Sequence, residues 1–468
     1  MEVSFHGAAR TVTGSRHLVT TVSGHKILLD CGLFQNAGSD NETLNRHFGF
    51  EPAGIQAVIL SHAHADHAGN LPYLVKQGFN GSIFTTQATI DLCAVMLPDS
   101  AHIQMHDLDY INKKRKRKGL PAFQPLYTVA DVEKTLGMMQ AVNVHEPFAV
   151  SEDADAVFYP NGHILGSAGV MLHLKRKKQK ARHLFFTGDI GRYGDMILTD
   201  PEPFPQADYI ICESTYGNKL HDDFTNASIK LHEIIMHTCL EKKGKLLIPA
   251  FSLGRTQEIV YQIDRMINTG QLPSLKVFVD SPLSTSATAI MRKHAGQFNE
   301  SIQEYMETDP DPFGFPMLQY IRDVEDSKKL NELKEPCIII APSGMMEAGR
   351  IKHHLKNNLD NPKNTVLIVG FTPPNTLGGK LSAGEKKVRI FGEEYEVKAD
   401  VHVLNSFSAH ADYSEMLKYL KCQDFEKVKE LFLVHGEYDI QQDWKAKLMD
   451  FGFKKVSIPE MHEVFKID

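Results

Sequence analysis

Four side chains able to bind a metal fall within six residues at His62-Ala63-His64-Ala65-Asp66-His67, directly after the apolar run Ala57-Val58-Ile59-Leu60. The intervening alanines are too small to keep the ligands apart. A lone buried histidine is an ordinary core residue, but this density needs a chemical reason. Imidazole nitrogen and carboxylate oxygen suit zinc, and a hydrolytic zinc site keeps one position open for water. The fold must therefore bring a strand end to a rigid polar centre. Other apolar runs, Val157-Phe158-Tyr159, Val170-Met171-Leu172 and Leu184-Phe185-Phe186, also lie within a few residues of Gly, His or Asp. Strands that deliver side chains to a site end in this way.

With 468 residues the chain is too long for one core and predicts two domains, or one inserted in another. It opens with a hairpin, Arg16 to Val22 and His25 to Asp30 around Ser23-Gly24. From about Asp208 strands alternate with helices: strands at Tyr209–Ile211, Leu246–Ile248, Val277–Val279, Cys337–Ile340 and Val366–Val369, and helices starting at Asn226, Arg255 and Ser284. Histidine-bearing strand ends return at Val401–Leu404 and Leu431–Val434, so an inserted α/β segment is expected. Cys31, Cys93, Cys212, Cys239, Cys337 and Cys422 include no C-x-x-C pair, which argues for a reducing compartment. The N-terminus lacks a signal-like pattern and no apolar run is long enough for a membrane helix, so a soluble cytoplasmic protein is expected. A net charge of −7 excludes a broad basic field, so any phosphate binding must be local. The strong charge run Lys113-Lys114-Arg115-Lys116-Arg117-Lys118 reads as a solvated helix end or loop.

H-x-H-x-D-H resembles the signature of metallo-β-lactamase-fold hydrolases, and companion motifs follow in the family's order. These are Asp30 in Leu-Leu-Asp-Cys-Gly, His163 in Asn-Gly-His-Ile-Leu-Gly and Asp189 in Thr-Gly-Asp-Ile-Gly. The resemblance implies that His62, His64 and His163 hold one metal, that Asp66 and His67 hold a second, and that Asp189 bridges them. Asp30 then supports the ligands from behind, and Asp66 counts among the catalytic residues as well. Two zinc ions, with manganese as an alternative, would hold a bridging hydroxide as nucleophile.

Glu213 in Cys-Glu-Ser-Thr-Tyr-Gly-Asn, His410 in Ser-Phe-Ser-Ala-His-Ala-Asp and His435 in Leu-Val-His-Gly-Glu resemble motifs A, B and C of the β-CASP family. That family joins an αββα sandwich to an inserted α/β cap. The implied division is 1–210 and 396–468 for the sandwich and 211–395 for the cap. The resemblance makes His435 a ligand of the second metal and His410 the general acid, oriented by Glu213. A histidine at motif C is typical of the RNA-directed members, so the implied activity is hydrolysis of RNA phosphodiester bonds, from an end or internally. Single-stranded RNA is the implied partner, and a homodimer is one assembly that could add RNA affinity. Ser252, Arg255, Ser343, Gly344 and Ser408 stand in segments similar to those lining the family's RNA groove. For Ser252 and Ser343, ordinary helix capping is an equal alternative. In Phe371-Thr372-Pro373-Pro374-Asn375-Thr376-Leu377-Gly378-Gly379, Asn375 and Gly379 depart from the glycine and arginine more usual in relatives. The rival readings are a small-ester or thioester hydrolase of the same fold and a non-catalytic RNA-binding scaffold.

Overall fold

In the strand Glu2–Gly7, Val3 and Phe5 point to one side and are wholly buried, and Val19 of Arg16–Thr20 continues that face. This is the period of two that a strand imposes when one face meets a core. The computed structural model describes residues 1–35, 40–176, 179–221, 224–370, 372–404 and 407–468. Phe371 and Ser406 of the motifs above lie outside the described residues.

Two seven-stranded sheets carry the first unit. One runs in the order Val464–Lys466, Glu2–Gly7, Arg16–Thr20, Lys26–Leu29, Ala57–Ile59, Ser82–Thr85 and Met139–Ala141. The other runs Val456–Ser457, Glu430–Val434, Tyr209–Glu213, Gln179–Phe186, Ala168–Arg176, Ala154–Pro160 and Phe148–Ser151. Their inner faces share one core, in which Phe5, Val19, Ile27 and Ile59 meet Phe158, Val170, Phe186, Ile211 and Phe432. Behind the second sheet, Phe185, Ile210 and Leu431 pack on Tyr419, Trp444 and Leu448 of the helices Tyr413–Leu420 and Tyr438–Phe451. Behind the first, Leu28, Val58 and Ile83 are buried, and the helix Gln87–Arg117 contacts the strand Met139–Ala141. The layers are helix, sheet, sheet, helix: the expected αββα sandwich.

The second unit holds a parallel sheet in the order Leu318–Ile321, Lys276–Asp280, Cys337–Ala341, Lys245–Pro249, Thr365–Val369 and Asp400–Leu404. Its strands read as continuous apolar runs because both faces are covered, as in parallel sheets generally. Helices begin at Phe224, Arg255 and Pro282 rather than at Asn226, Arg255 and Ser284. In the last case Ser281 is the cap, accepting from the Ser284 N–H.

Residues 1–194, 199–220 and 410–468 form the first unit, and 195–198 with 221–409 the second. Strand pairing accounts for this division. Tyr209–Glu213 is bound in parallel between Gln179–Phe186 and Glu430–Val434, inside the first unit's sheet. Asp400–Leu404 pairs with Thr365–Val369 and so belongs to the second. Among the described residues, no helix is long and apolar enough to cross a membrane.

Candidate metal centre

The strand Ala57–Ile59 leads through Leu60 into Ser61 and His62, and the chain then turns through the short helix Ala65–Ala68. Its backbone is clamped from outside: the N–H groups of Ser15 and Cys31 donate to the carbonyls of Asp66 and His67 at 2.8 and 2.7 Å. Gly32 crosses so closely that a Cβ there would stand 1.5 Å from the Asp66 carbonyl oxygen. Only glycine fits.

Within this frame two clusters share one carboxylate. His64 Nδ1 lies 3.1 Å from both His62 Nε2 and His163 Nε2, and Asp189 Oδ2 lies 3.5 Å from each of those Nε2 atoms. On the other side, Asp189 Oδ2 is 3.2 Å from His67 Nε2, while His435 Nε2 is 3.4 Å from Asp66 Oδ2 and 3.7 Å from Asp189 Oδ1. Asp189 thus faces both groups, and all seven implied ligands converge in the first unit.

The donor set suits metal ions. Separations of 3.1–3.5 Å are those of the edges of a tetrahedron with bonds of about 2 Å. Burial first, with the neighbouring imidazoles, drives the pKa values of His62 and His163 far down, and burial brings that of His64 to about 4. Their ring nitrogens are therefore neutral and available as ligands. His67 Nε2 and Asp189 Oδ1 are buried without a hydrogen bond. A buried polar atom left so is costly unless something else binds it.

Asp30, with φ at +59°, is held by this site rather than by its own preference. Its Oδ1 accepts from the Ser61 N–H at 2.8 Å, and its Oδ2 accepts from Ser61 Oγ at 2.9 Å and from His67 Nδ1 at 2.6 Å. Ser61 Oγ also lies 3.0 Å from His62 Nδ1. One carboxylate therefore orients His67 directly and His62 through a hydroxyl. Thr215 Oγ1 does the same for His435, 2.9 Å from its Nδ1. Sequence reasoning passed over Ser61 and Thr215, whose only signal was adjacency to motif residues.

His410 approaches from the loop before the helix Tyr413–Leu420. Its Nδ1 lies 3.1 and 3.2 Å from the two carboxylate oxygens of the buried Glu213 and 4.0 Å from Asp189 Oδ2. Burial alone would lower its pKa, but Glu213 and Asp189 outweigh burial and raise it to about 9. The ring sits 4.6 Å, centroid to centroid, from that of His163. The arrangement is an imidazole, oriented by a carboxylate, at the edge of the two ligand clusters.

Ser252, Arg255, Ser343, Gly344 and Ser408 lie in the second unit. Neither serine caps a helix: Gly254 precedes Arg255–Asn268 and Arg350 precedes Ile351–Asn358, both without a side-chain cap. Ser252 Oγ stands 3.3 Å from Ser281 Oγ, and Ser343 Oγ bonds to the Ala348 backbone. Arg255 is buried, paired with Glu258 and over the Phe407 ring, and Ser408 is buried. Gly344 leaves room for the exposed ring of Phe251, 3.0 Å from where its Cβ would stand. Gly379 has no space for a larger residue, since a Cβ would meet the Pro373 carbonyl oxygen at 2.1 Å.

Comparison with known proteins matches residues 15–83 to the metallo-β-lactamase superfamily, 256–381 to the Beta-Casp domain and 394–459 to the Zn-dependent metallo-hydrolase RNA specificity domain. Ribonuclease TTHA0252 of Thermus thermophilus is 34% identical over 437 residues, 93% of each chain. An RNase J-like protein of Methanocaldococcus jannaschii is 30% identical over 438 residues, 93% of this chain and 92% of that one. Transcription termination factor FttA of Methanosarcina mazei is 30% identical over 451 residues, covering 93% of this chain and 67% of the factor.

Proposed function

Because the chain belongs to the β-CASP family of metallo-β-lactamase-fold hydrolases, we propose that it is a ribonuclease hydrolysing phosphodiester bonds in single-stranded RNA, with two zinc ions that manganese can replace. The observation carrying this reading is the His410–Glu213 pair beside the two clusters that meet at Asp189. A thioester hydrolase, whose leaving thiolate needs no proton, would have little use for such a donor.

His62, His64 and His163 would hold one ion and Asp66, His67 and His435 a second, with the Asp189 carboxylate facing both groups. When bound, such ions activate water near neutral pH and neutralise charge on phosphate oxygens. The protein's own residues do the rest. Asp30 and Ser61 hold the rings of His67 and His62, and Thr215 holds that of His435, so that the facing nitrogens keep their positions. His410 donates its proton to the leaving 3′ oxygen. Glu213 keeps Nδ1 engaged, which directs Nε2 to the substrate and stabilises the charged ring before transfer. Five of the six cysteines are buried free thiols, in keeping with a cytoplasmic enzyme.

The test is cleavage of end-labelled single-stranded RNA, beside matched DNA, by protein of measured metal content. His410→Ala should retain metal and lose roughly 10²–10⁴-fold in rate. Undiminished turnover in that variant would remove His410 from the chemistry, and no RNA cleavage by fully metallated wild type would sink the ribonuclease reading.

A further inference from the structure

The helix Gln87–Arg117 runs for 31 residues, but its packing stops early. Ala101 is buried, and no described side chain from His102 to Leu126 is. Past Ala101 the helix is covered on one side only, by the half-buried Gln104, Met105, Leu108, Asn112 and Arg115, and forms an arm whose tip is the run Lys113 to Lys118. Folding uses Arg115, and Lys114 has a partner, but it does not account for Lys113, Lys116, Arg117 and Lys118. One or two cations in the last turn suffice to complement a helix dipole, whereas like charges four apart, such as Lys113 and Arg117, repel. Among the described residues, no carboxylate pairs with Lys113, Arg115, Lys116, Arg117 or Lys118.

The tip is nevertheless ordered. Asn112 bonds both ways with the Phe123 backbone at 2.8 and 3.0 Å, Arg115 Nε donates to the Pro121 carbonyl at 2.7 Å, and the Arg115 guanidinium lies 3.8 Å from the Phe123 ring centroid. Lys76 Nζ donates to the carbonyls of Pro125 and Leu126. The returning segment is fastened, so the remaining cations are held together before any partner arrives, which reduces the ordering cost of binding. At its other end the helix is fixed to the catalytic centre. Thr86 and Thr89 both donate to the carbonyl of Gly166, at 2.7 and 3.0 Å, three residues after His163.

We infer that this cationic tip docks the phosphate backbone of single-stranded RNA, on a rigid arm whose base supports the His163 loop. The inference rests on the ribonuclease reading above. A chain of net charge −7 has no general field for a polyanion, so a concentrated site must supply the attraction. At about 1.5 Å per residue the tip lies roughly 40 Å along the helix from its start, so only a long RNA can reach it while engaged at the metal centre.

The experiment compares the full chain with its Lys113→Gln/Lys116→Gln/Arg117→Gln/Lys118→Gln variant, which spares Arg115 and keeps good helix formers. In a His410→Ala background, the variant should bind poly(U) at least tenfold more weakly. Its affinity should also depend less on salt, the log–log slope falling by roughly 0.7 for each phosphate that the tip no longer neutralises. Cleavage of a diribonucleotide by the otherwise wild-type enzyme should be unchanged. Equal affinity and equal slope, with wild type still cleaving poly(U), would overturn the arm alone. Capture of phosphatidylserine vesicles by the arm, with poly(U) affinity unchanged, would also overturn it and make the surface a membrane-binding one. Failure of wild type to bind or cleave poly(U) would overturn the arm and the ribonuclease reading together.

Discussion

Gly32 shows how closely the chain is drawn around the candidate ligands Asp66 and His67. With the Asp66 carbonyl oxygen 1.5 Å from a would-be Cβ, and His67 N at 2.7 Å, Gly32→Ala must displace the turn that carries two ligands. The expected cost is about 1–3 kcal/mol of stability together with reduced metal content, measured by thermal unfolding and elemental analysis. Full metal occupancy in that variant would mean that the turn can shift without moving Asp66 and His67. Thr215→Val should weaken the metal held by His435 by roughly 10–100-fold, while Thr215→Ser, which keeps the hydroxyl, should restore it. Equal metal affinity in the two variants would discount a role for the Thr215 hydroxyl. The seven candidate ligands stand in short motifs of histidines and aspartates, and such density was legible in the sequence. The hydroxyls were not, since Thr215 meets His435 across 220 residues and nothing in a single threonine announces that pairing.

At the scale of elements, the helix Tyr413–Leu420 is what sets His410. Asp412 Oδ1 accepts from the N–H groups of Ser414 and Glu415 at 2.8 and 3.0 Å, and the Glu415 carboxylate accepts in turn from the Asp412 N–H at 3.0 Å. The same Glu415 accepts from the Tyr193 N–H at 3.1 Å, and Ala411 N–H donates to the Ile190 carbonyl at 2.8 Å. The capping box therefore ties the strand end that carries Asp189 to the residue after His410. Asp412→Ala should cost about 1 kcal/mol as a lost cap and lower kcat by more than it lowers metal content, read from turnover against bound zinc. An unchanged kcat would show that His410 holds its place without the box. Apolar runs revealed most strands in the sequence because both sheets bury them. The long helix escaped notice, since Pro98 in its interior reads as a stop and the half-buried stripe of its second half mixes Gln104, Asn112 and Arg115 with Met105 and Leu108, which leaves no clean apolar period.

At the scale of the whole molecule, the two units keep separate cores and should answer to different variables. The insertion was readable from the change to alternating strands and helices, whereas the sheet that each of Tyr209–Glu213 and Asp400–Leu404 joins is decided by strand pairing rather than by local pattern. In the second unit the Asp264 carboxyl is pushed up to about 7, by burial first and then by Asp309 and Asp311, although Tyr305 donates to it at 2.6 Å. A carboxyl raised in the folded state binds its proton more tightly there than when unfolded. Its stabilising contribution is thus complete below pH about 4, the unfolded value, and is lost as pH rises through 7. Asp264→Asn should flatten that slope. In the first unit the variable is metal, since every ligand of the proposed centre lies there, and a ligand at 100 times its Kd stabilises by about 2.7 kcal/mol. Hydrogen exchange separates the two responses. Chelation should speed exchange in Ala57–Ile59 and Tyr209–Glu213 and leave Lys245–Pro249 unchanged, whereas raising the pH from 5 to 8, after correction for intrinsic rates, should loosen Lys245–Pro249 and spare the metallated strands. If chelation loosened both sheets equally, the two cores would unfold as one, and Asp264→Asn would then change the apparent stability of the metal centre as well.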